Sequence, residues 1–315
     1  MSYHPAPTPD CQEQHGRVQR LVEGRQRDLS GFCVRRVLPA RDQPMLGPFI
    51  FLDEMGPAEL PAGKGINVRP HPHIGLATMT YLFEGEILHR DSVGAVQPIK
   101  PGAVNLMTAG RGIVHSERAG SDLDRPAGLH GLQCWMALPD DMEDCAPAFA
   151  HYTADDIPSI SRPGADIRVI MGQAFDQRSP VQTASPALYC ECRLASGATL
   201  ACPAATERGI YVVQGRLRIG GTVCEAGSLA VLDAEDAEDA EDAVELRAET
   251  DTLCVILGGD PVGQRHIFWN FVARSPATIE QAKADWMARR FPDIPDDNEE
   301  WIPIPEWPGA SGTRP

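Results

Sequence analysis

Short apolar runs separated by turn residues dominate the chain. Residues 32–38 and 48–53 are rich in strand-forming side chains, and Gly56 and Pro57 are expected to end the second run. Residues 78–83 predict a strand, Glu84-Gly85-Glu86 a turn, and 87–91 the returning arm of a hairpin. Turns at 100–102 and 110–112 deliver further strands at 103–107 and 113–117, and 129–138 predicts a long one. The 12–27 stretch reads as a short helix or a loose polar arm. Many short strands at regular spacing argue for an all-β sandwich or barrel.

The pattern then recurs. Tyr211-Val-Val-Gln-Gly-Arg216 echoes Tyr81-Leu-Phe-Glu-Gly-Glu86, and residues 225–230 echo 100–105. A repeat of this length predicts two copies of one domain. The expected partition is an arm over 1–27, a first domain over 28–140, a linker over 141–163 and a second domain over 164–315. The linker reading rests on a polar stretch with Pro147 and Pro158. Ser275 followed by Pro276 predicts a capped helix over 276–290, with Ile279, Ala282, Trp286 and Met287 on its apolar side. Phe291 and Pro292 end it, and the Pro-rich tail with Trp301 and Trp307 is expected to pack back on a domain.

Composition narrows the function classes. The 315 residues carry a net charge of -16, which disfavours direct binding to a phosphate backbone. Much of the acidic excess lies in the tract 233–242, read as a solvated surface loop rather than a partner site. No apolar run suits a membrane span and no leader pattern opens the chain, so a cytoplasmic protein is expected. The 9 cysteines form no Cys-x-x-Cys pair, and buried reduced thiols are expected, Cys190 and Cys192 among them.

Chemistry concentrates in two places. His71 and His73 are spaced i, i+2, as are His115 and Glu117. Alternate side chains of a strand share a face, so each pair aims two ligand atoms into one cavity. Three imidazoles and one carboxylate suit a first-row divalent metal, and the absence of a thiolate argues against a closed structural zinc site. Pro72 between the histidines cannot donate to a ladder, which places the pair at a strand start or edge. His89, Asp91 and Gln133 stand near these motifs as candidates to orient the ligand side chains. Counting back from the repeated Tyr, the second copy has Ala201 and Pro203 where the first has His71 and His73, so one metal site is expected.

These motifs carry a resemblance. Gly65, five residues and His-x-His, answered by a second strand with another His, is the pattern of a cupin. Residues 69–75, 81–86, 89–92 and 107–117 are similar to the pirin family, and the likeness runs from about Asp28 to about Glu306. It implies two tandem cupin domains, with the metal on the positions matching His71, His73, His115 and Glu117. It also implies iron(II), although the residue types alone leave manganese, nickel, cobalt and copper open. Pirins include proteins that oxidise quercetin with dioxygen. The resemblance therefore implies a dioxygenase for a flavonol or similar aromatic enol, with Glu117 as the base. Other pirins bind protein partners, so the alternative is a redox-sensing regulator of a transcription factor or metabolic enzyme. Two departures stand out: Ala77 where pirins commonly carry Glu, and Glu54 where relatives often have His. Both are expected to alter the cavity lining.

Overall fold

The computed structural model describes residues 11–13, 17–28, 33–121, 124, 126–233 and 244–305. It is built of antiparallel strands and one helix. A seven-stranded sheet runs in the order Ala148–Tyr152, Val104–Thr108, Leu76–Glu84, Ala127–Ala137, Phe49–Leu60, Cys33–Leu38, Arg25–Asp28. Facing it is a four-stranded sheet of Val68–His73, Ile113–Ala119, Ile87–Asp91 and Val96–Ile99. A second pair of sheets repeats the plan. An eight-stranded sheet includes Ser228–Leu232, Glu207–Gln214, Thr252–Gly259 and Ala187–Leu194, and a four-stranded sheet holds Thr199–Ala201, Glu245–Ala248, Arg216–Ile219 and Thr222–Glu225. The all-β reading and the two tandem cupin-type barrels stand.

Period-two alternation divides the work of each large sheet. On Leu76–Glu84, Ala77, Met79 and Tyr81 join a cluster with Tyr189, Tyr211, Val255 and Leu257 of the second barrel. The two large sheets thus pack on each other through an apolar core. A second cluster fills the second barrel with Cys190, Cys192, Cys202 and Cys254 among aliphatic side chains. Burial pushes the Cys190 and Cys202 thiols up, Cys202 to about 12; a hydrogen bond with Cys254, together with burial, raises Cys192; and eight cysteines are free among the described residues.

The interface holds a reciprocal polar pair. Tyr81 is in register with Leu132 and Leu132 with Glu54; Tyr211 is in register with Val255 and Val255 with Glu191. Each tyrosine reaches the other barrel's glutamate. Tyr211 Oη donates to Glu54 Oε2 at 2.6 Å, and Tyr81 Oη donates to Glu191. Arg35 and His130 complete the Glu54 site at 2.7 and 2.9 Å, and Arg193 pairs with Glu191 at 2.7 Å.

Several expectations need correction. The described part of the 12–27 stretch is strand, not helix: Val18–Glu23 pairs with Ser228–Leu232 of the second barrel, and Arg25–Asp28 with Cys33–Leu38 of the first. Val18 and Val22 are buried at i, i+4, a spacing open to helix or strand; the ladder to Ser228–Leu232 decides for strand. The strand from Phe49 runs through Gly56 and Pro57 to Leu60, because a register irregularity opposite Leu129–Gly131 takes up a residue without an N–H. Leu76–Glu84 and Ile87–Asp91 form no hairpin; they belong to facing sheets, and the turn between them is a barrel corner. Within the 141–163 stretch, Ala148–Tyr152 joins the first large sheet and Ser159–Arg162 the second.

The helix is Pro276–Met287, and the Ser275 side chain accepts from Ala277 N at its start. Ile279, Ala282 and Trp286 are buried, but Met287 is 69% exposed. Met287 follows Trp286 by one residue, which turns it about 100° off the buried stripe. The helix and the described part of the tail do not join the core cluster of the second barrel. They return to the first, where Ile279, Ala282, Trp286 and Ile294 cluster with Ile74 and Val114. Trp301 lies under the Arg289 guanidinium at 4.0 Å. Trp307 and residues 234–242 of the acidic tract lie outside the described residues.

Candidate metal centre

Val68–His73 is an edge strand, so Pro72 leaves no ladder partner waiting. It pairs with Ile113–Ala119, placing His115 opposite His71 and Ile113 opposite His73. Alternation turns His71, His73, His115 and Glu117 into the barrel, and all four are buried.

The three imidazoles converge. One nitrogen from each of His71, His73 and His115 falls within a group no wider than 4.8 Å. The Nε2 atoms of His73 and His115 stand 3.0 Å apart. Two adjacent ligands bonded to one ion at about 2.1 Å would stand about 3 Å apart, so the spacing fits a shared metal. His71 Nδ1 lies 2.8 Å from the Arg69 carbonyl and donates to it, which leaves Nε2 with its lone pair.

Protonation agrees. Burial lowers the His71 pKa to about 4, against the favourable Arg69 carbonyl. Burial and the neighbouring imidazoles hold His73 and His115 well below the usual histidine range. Neutral imidazole is the form that coordinates a metal. His73 Nδ1 is buried without a hydrogen bond of ordinary geometry, although the Asn270 backbone acts in the direction that favours a proton. The hydrogen-bond geometry decides here: the ring is oriented by packing, with Trp135 edge-on at 5.2 Å.

Glu117 stands outside the three-imidazole group. A register irregularity between His115 and Glu117 sets it opposite Val68, and its Oε1 accepts from Gln133 Nε2 at 2.8 Å across the barrel. Burial raises its pKa, with His89 and Gln133 opposing. His89 is in register with Glu117 and reaches two partners, Asp91 Oδ2 at 2.9 Å and His115 Nδ1 at 3.4 Å. Asp91 Oδ1 in turn accepts from the Val93 and Ala95 amides. Of the three residues expected from sequence to orient the ligands, Gln133 contacts Glu117 and His89 contacts His115, while Asp91 reaches only His89. An Nδ1-protonated His115 bonded to His89 would present Nε2 to the cavity.

Two aromatic contacts were not foreseen. Trp135 stacks on Phe51 at 3.9 Å, and Phe149 stacks on His89 at 4.6 Å. The signal for Trp135 was present, since it sits two residues from Gln133 on one strand; Phe149 lay in a stretch read as linker. Ala77 and Glu54 do not line this cavity. Both face the second barrel, Ala77 in the interface core and Glu54 on Tyr211.

The counterpart of the site also shifts by one residue. Leu200 pairs with Leu246 as His71 pairs with His115, and Cys202 N bonds Val244 O as the chain leaves the strand. Leu217 and Ile219 face Ala248 and Leu246 as His89 and Asp91 face Glu117 and His115. The second barrel thus has Leu200 and Cys202 where Ala201 and Pro203 were expected. His71 precedes Tyr81 by ten residues but Leu200 precedes Tyr211 by eleven, and a one-residue slip exchanges the faces of a strand.

Comparison with known proteins follows the same division. Residues 31–136 match the Pirin family profile and residues 189–292 the Pirin C-terminal cupin domain. The chain belongs to the pirin family. A pirin-like protein of Caulobacter vibrioides is 45% identical over 92% of this chain and 100% of its own length. A Pseudomonas aeruginosa protein provisionally named a quercetin 2,3-dioxygenase is 38% identical over 88% of this chain and 86% of its own. Among solved structures, quercetin 2,3-dioxygenase from Acinetobacter baumannii is similar with a TM-score of 0.83 and 33% identity, covering 93% of this pirin and 96% of that chain.

Proposed function

We propose that this pirin is a cytoplasmic, iron(II)-dependent dioxygenase for a flavonol or a similar aromatic enol, with the metal held by His71, His73, His115 and Glu117. The observation that carries the reading is the convergence of three neutral, buried imidazoles on one point, with a buried carboxylate two residues beyond the last of them. The likeness to a solved quercetin 2,3-dioxygenase over nearly the whole chain supports the reaction class. The eight free thiols among the described residues suit a reducing compartment.

An iron(II) bound there would supply Lewis acidity toward a substrate hydroxyl and reducing capacity toward dioxygen. The chain's own groups do the rest. Gln133 fixes Glu117 through Oε1 and leaves Oε2 to serve the metal and to accept the substrate's hydroxyl proton. Trp135, Phe51 and Phe149 provide apolar walls beside His73 and His89, which suit a flat ring and keep bulk water away.

Oxygen uptake with quercetin by the iron-loaded protein tests this. Glu117→Gln should lower turnover at least about tenfold, since the amide is a poor base and a weaker ligand. Equal rates in the two proteins, or uptake no greater than that of free iron, would sink the enzyme reading.

A further inference from the structure

The backs of the two strands that carry the imidazoles are covered by the far end of the chain. Residues between the inward-facing side chains point outward and meet it. Ile74 and Val114 pack on Phe271, Ile279 and Trp286. Val272 N donates to the Ile74 carbonyl, and Gly75 lies so close that an added Cβ would stand 2.0 Å from the Val272 oxygen. The Phe291 ring lies over Gly112. The tail then crosses both strands. Ser116, between His115 and Glu117, donates to Asp297 Oδ2 at 2.6 Å. Arg118 forks onto the same carboxylate at 2.9 and 2.5 Å and reaches Glu300 at 3.0 Å and Asn67. Ile302 N bonds the carbonyl of Pro70, the residue before His71, at 2.8 Å, and the Ile302 carbonyl accepts from Trp286 Nε1 at 3.0 Å.

We infer that the tail from Ile294 to Ile302 is a positioning element of the metal centre, with Asp297 as its anchor. The two ligand strands are paired with each other, and on the inward side Ile113 clusters with Met107, Ala109 and Trp135. From behind, one strand is tied at Pro70 and the other at Ser116 and Arg118, and both ties end on the same nine-residue segment. That segment adds to the ladder a tie across the backs of both strands, and so helps to hold the register in which His73 comes within 3.0 Å of His115. A bidentate Arg–carboxylate pair with a third donor is a rigid joint, because two parallel charge-assisted bonds define a plane. Arg118 and Ser116 lower the Asp297 pKa against the opposing effect of burial, in keeping with that joint. The role of Asp297 is positional: it touches neither the cavity nor any of the four proposed ligands.

The inference rests on the proposed ligand set, and the test separates the two. The full chain is loaded with cobalt(II), its visible absorption recorded, and release into excess EDTA timed. The wild type must hold one cobalt per chain; if it does not, the ligand assignment fails, and the anchor with it. Given binding, Asp297→Asn should release cobalt about tenfold faster and alter the visible spectrum, and Asp297→Glu should recover part of both. Asp285→Asn is the control. It removes the same charge from an exposed pair with Arg290 and should match the wild type. Ser116→Ala, which loses one bond and leaves the ion pair, should give about threefold, and it decides the matter if Asp297→Asn does not fold. Wild-type release rates and spectra in the folded Asp297 and Ser116 variants would overturn the inference.

Discussion

The two barrels share a ladder and differ in what the ladder holds. At six matched positions the first barrel has His71, His73, His115, Glu117, His89 and Asp91, and the second has Leu200, Cys202, Leu246, Ala248, Leu217 and Ile219. The second set is a packed apolar interior, and its residues sit in one core cluster. The first set buries four imidazoles and two carboxylates, each of which loses hydration and must find a partner. The fold therefore does not need these polar residues. They work against stability, and the second barrel shows what the same frame becomes without them.

The sharpest way to break this contrast is to remove one member from each side. His73→Ala should reduce bound metal at least about tenfold, because it deletes one of three converging nitrogens. Cys202→Ala, at the matching place in the second barrel, should leave metal content unchanged. Metal analysis of both variants decides; retention of full stoichiometric metal by His73→Ala would mean the assignment is wrong.

Histidine protonation should act on the first barrel alone, since no histidine lies between His151 and His266. An unfolded histidine titrates near 6.5, while folded His71 titrates at about 4. Between those values the unfolded chain takes up a proton that the folded chain refuses, so stability falls as pH falls through that window and loses nothing more below it. In metal-free protein this amounts to about 2–3 kcal/mol by pH 4.5. The raised carboxyl of Glu117 acts in the opposite sense, but it is common to wild type and His71→Asn. Urea unfolding at pH 7 and 4.5 should show a flatter pH dependence in that variant, and identical slopes would contradict the assignment.

Smaller effects come from the interface. Glu54→Ala removes a buried acceptor from Tyr211, Arg35 and His130 and should cost about 2–3 kcal/mol, the partial exposure of Arg35 limiting the loss. Metal content should stay at wild-type level, because Glu54 faces away from the cavity. Tyr81→Phe and Tyr211→Phe should each cost about 1 kcal/mol and by similar amounts, as a reciprocal pair requires. A cost confined to one of the two tyrosines, measured by urea unfolding, would show that the pair is not symmetric in energy.

Much of this was legible in the residues. Strand pairs at i, i+2 spacing announced the four inward side chains, and the Tyr-x-x-x-Gly echo announced a second barrel. What failed was whatever depends on long-range partners or on a one-residue count. Nothing local in Glu54 says that its partner is Tyr211, so a buried acid next to the motifs read as cavity lining. Ser116 lay between two proposed ligands, and period two already turned it outward, yet Asp297 is 181 residues away and no spacing rule reaches it. The tail read as packing on some domain; which one depends on Ile74 and Val114 presenting an apolar back, visible only once their strands are paired.

The exchange of segments also sets an order in time. Synthesis runs from the N-terminus, so the strands carrying His71 to Glu117 are made while the residues that cover their backs, Phe271 to Ile302, are still to come. Val18–Glu23 likewise waits for Ser228–Leu232, its partner in the second sheet. A growing chain can close the second barrel before it can back the first. The barrel that comes first in the sequence is the last to be completed.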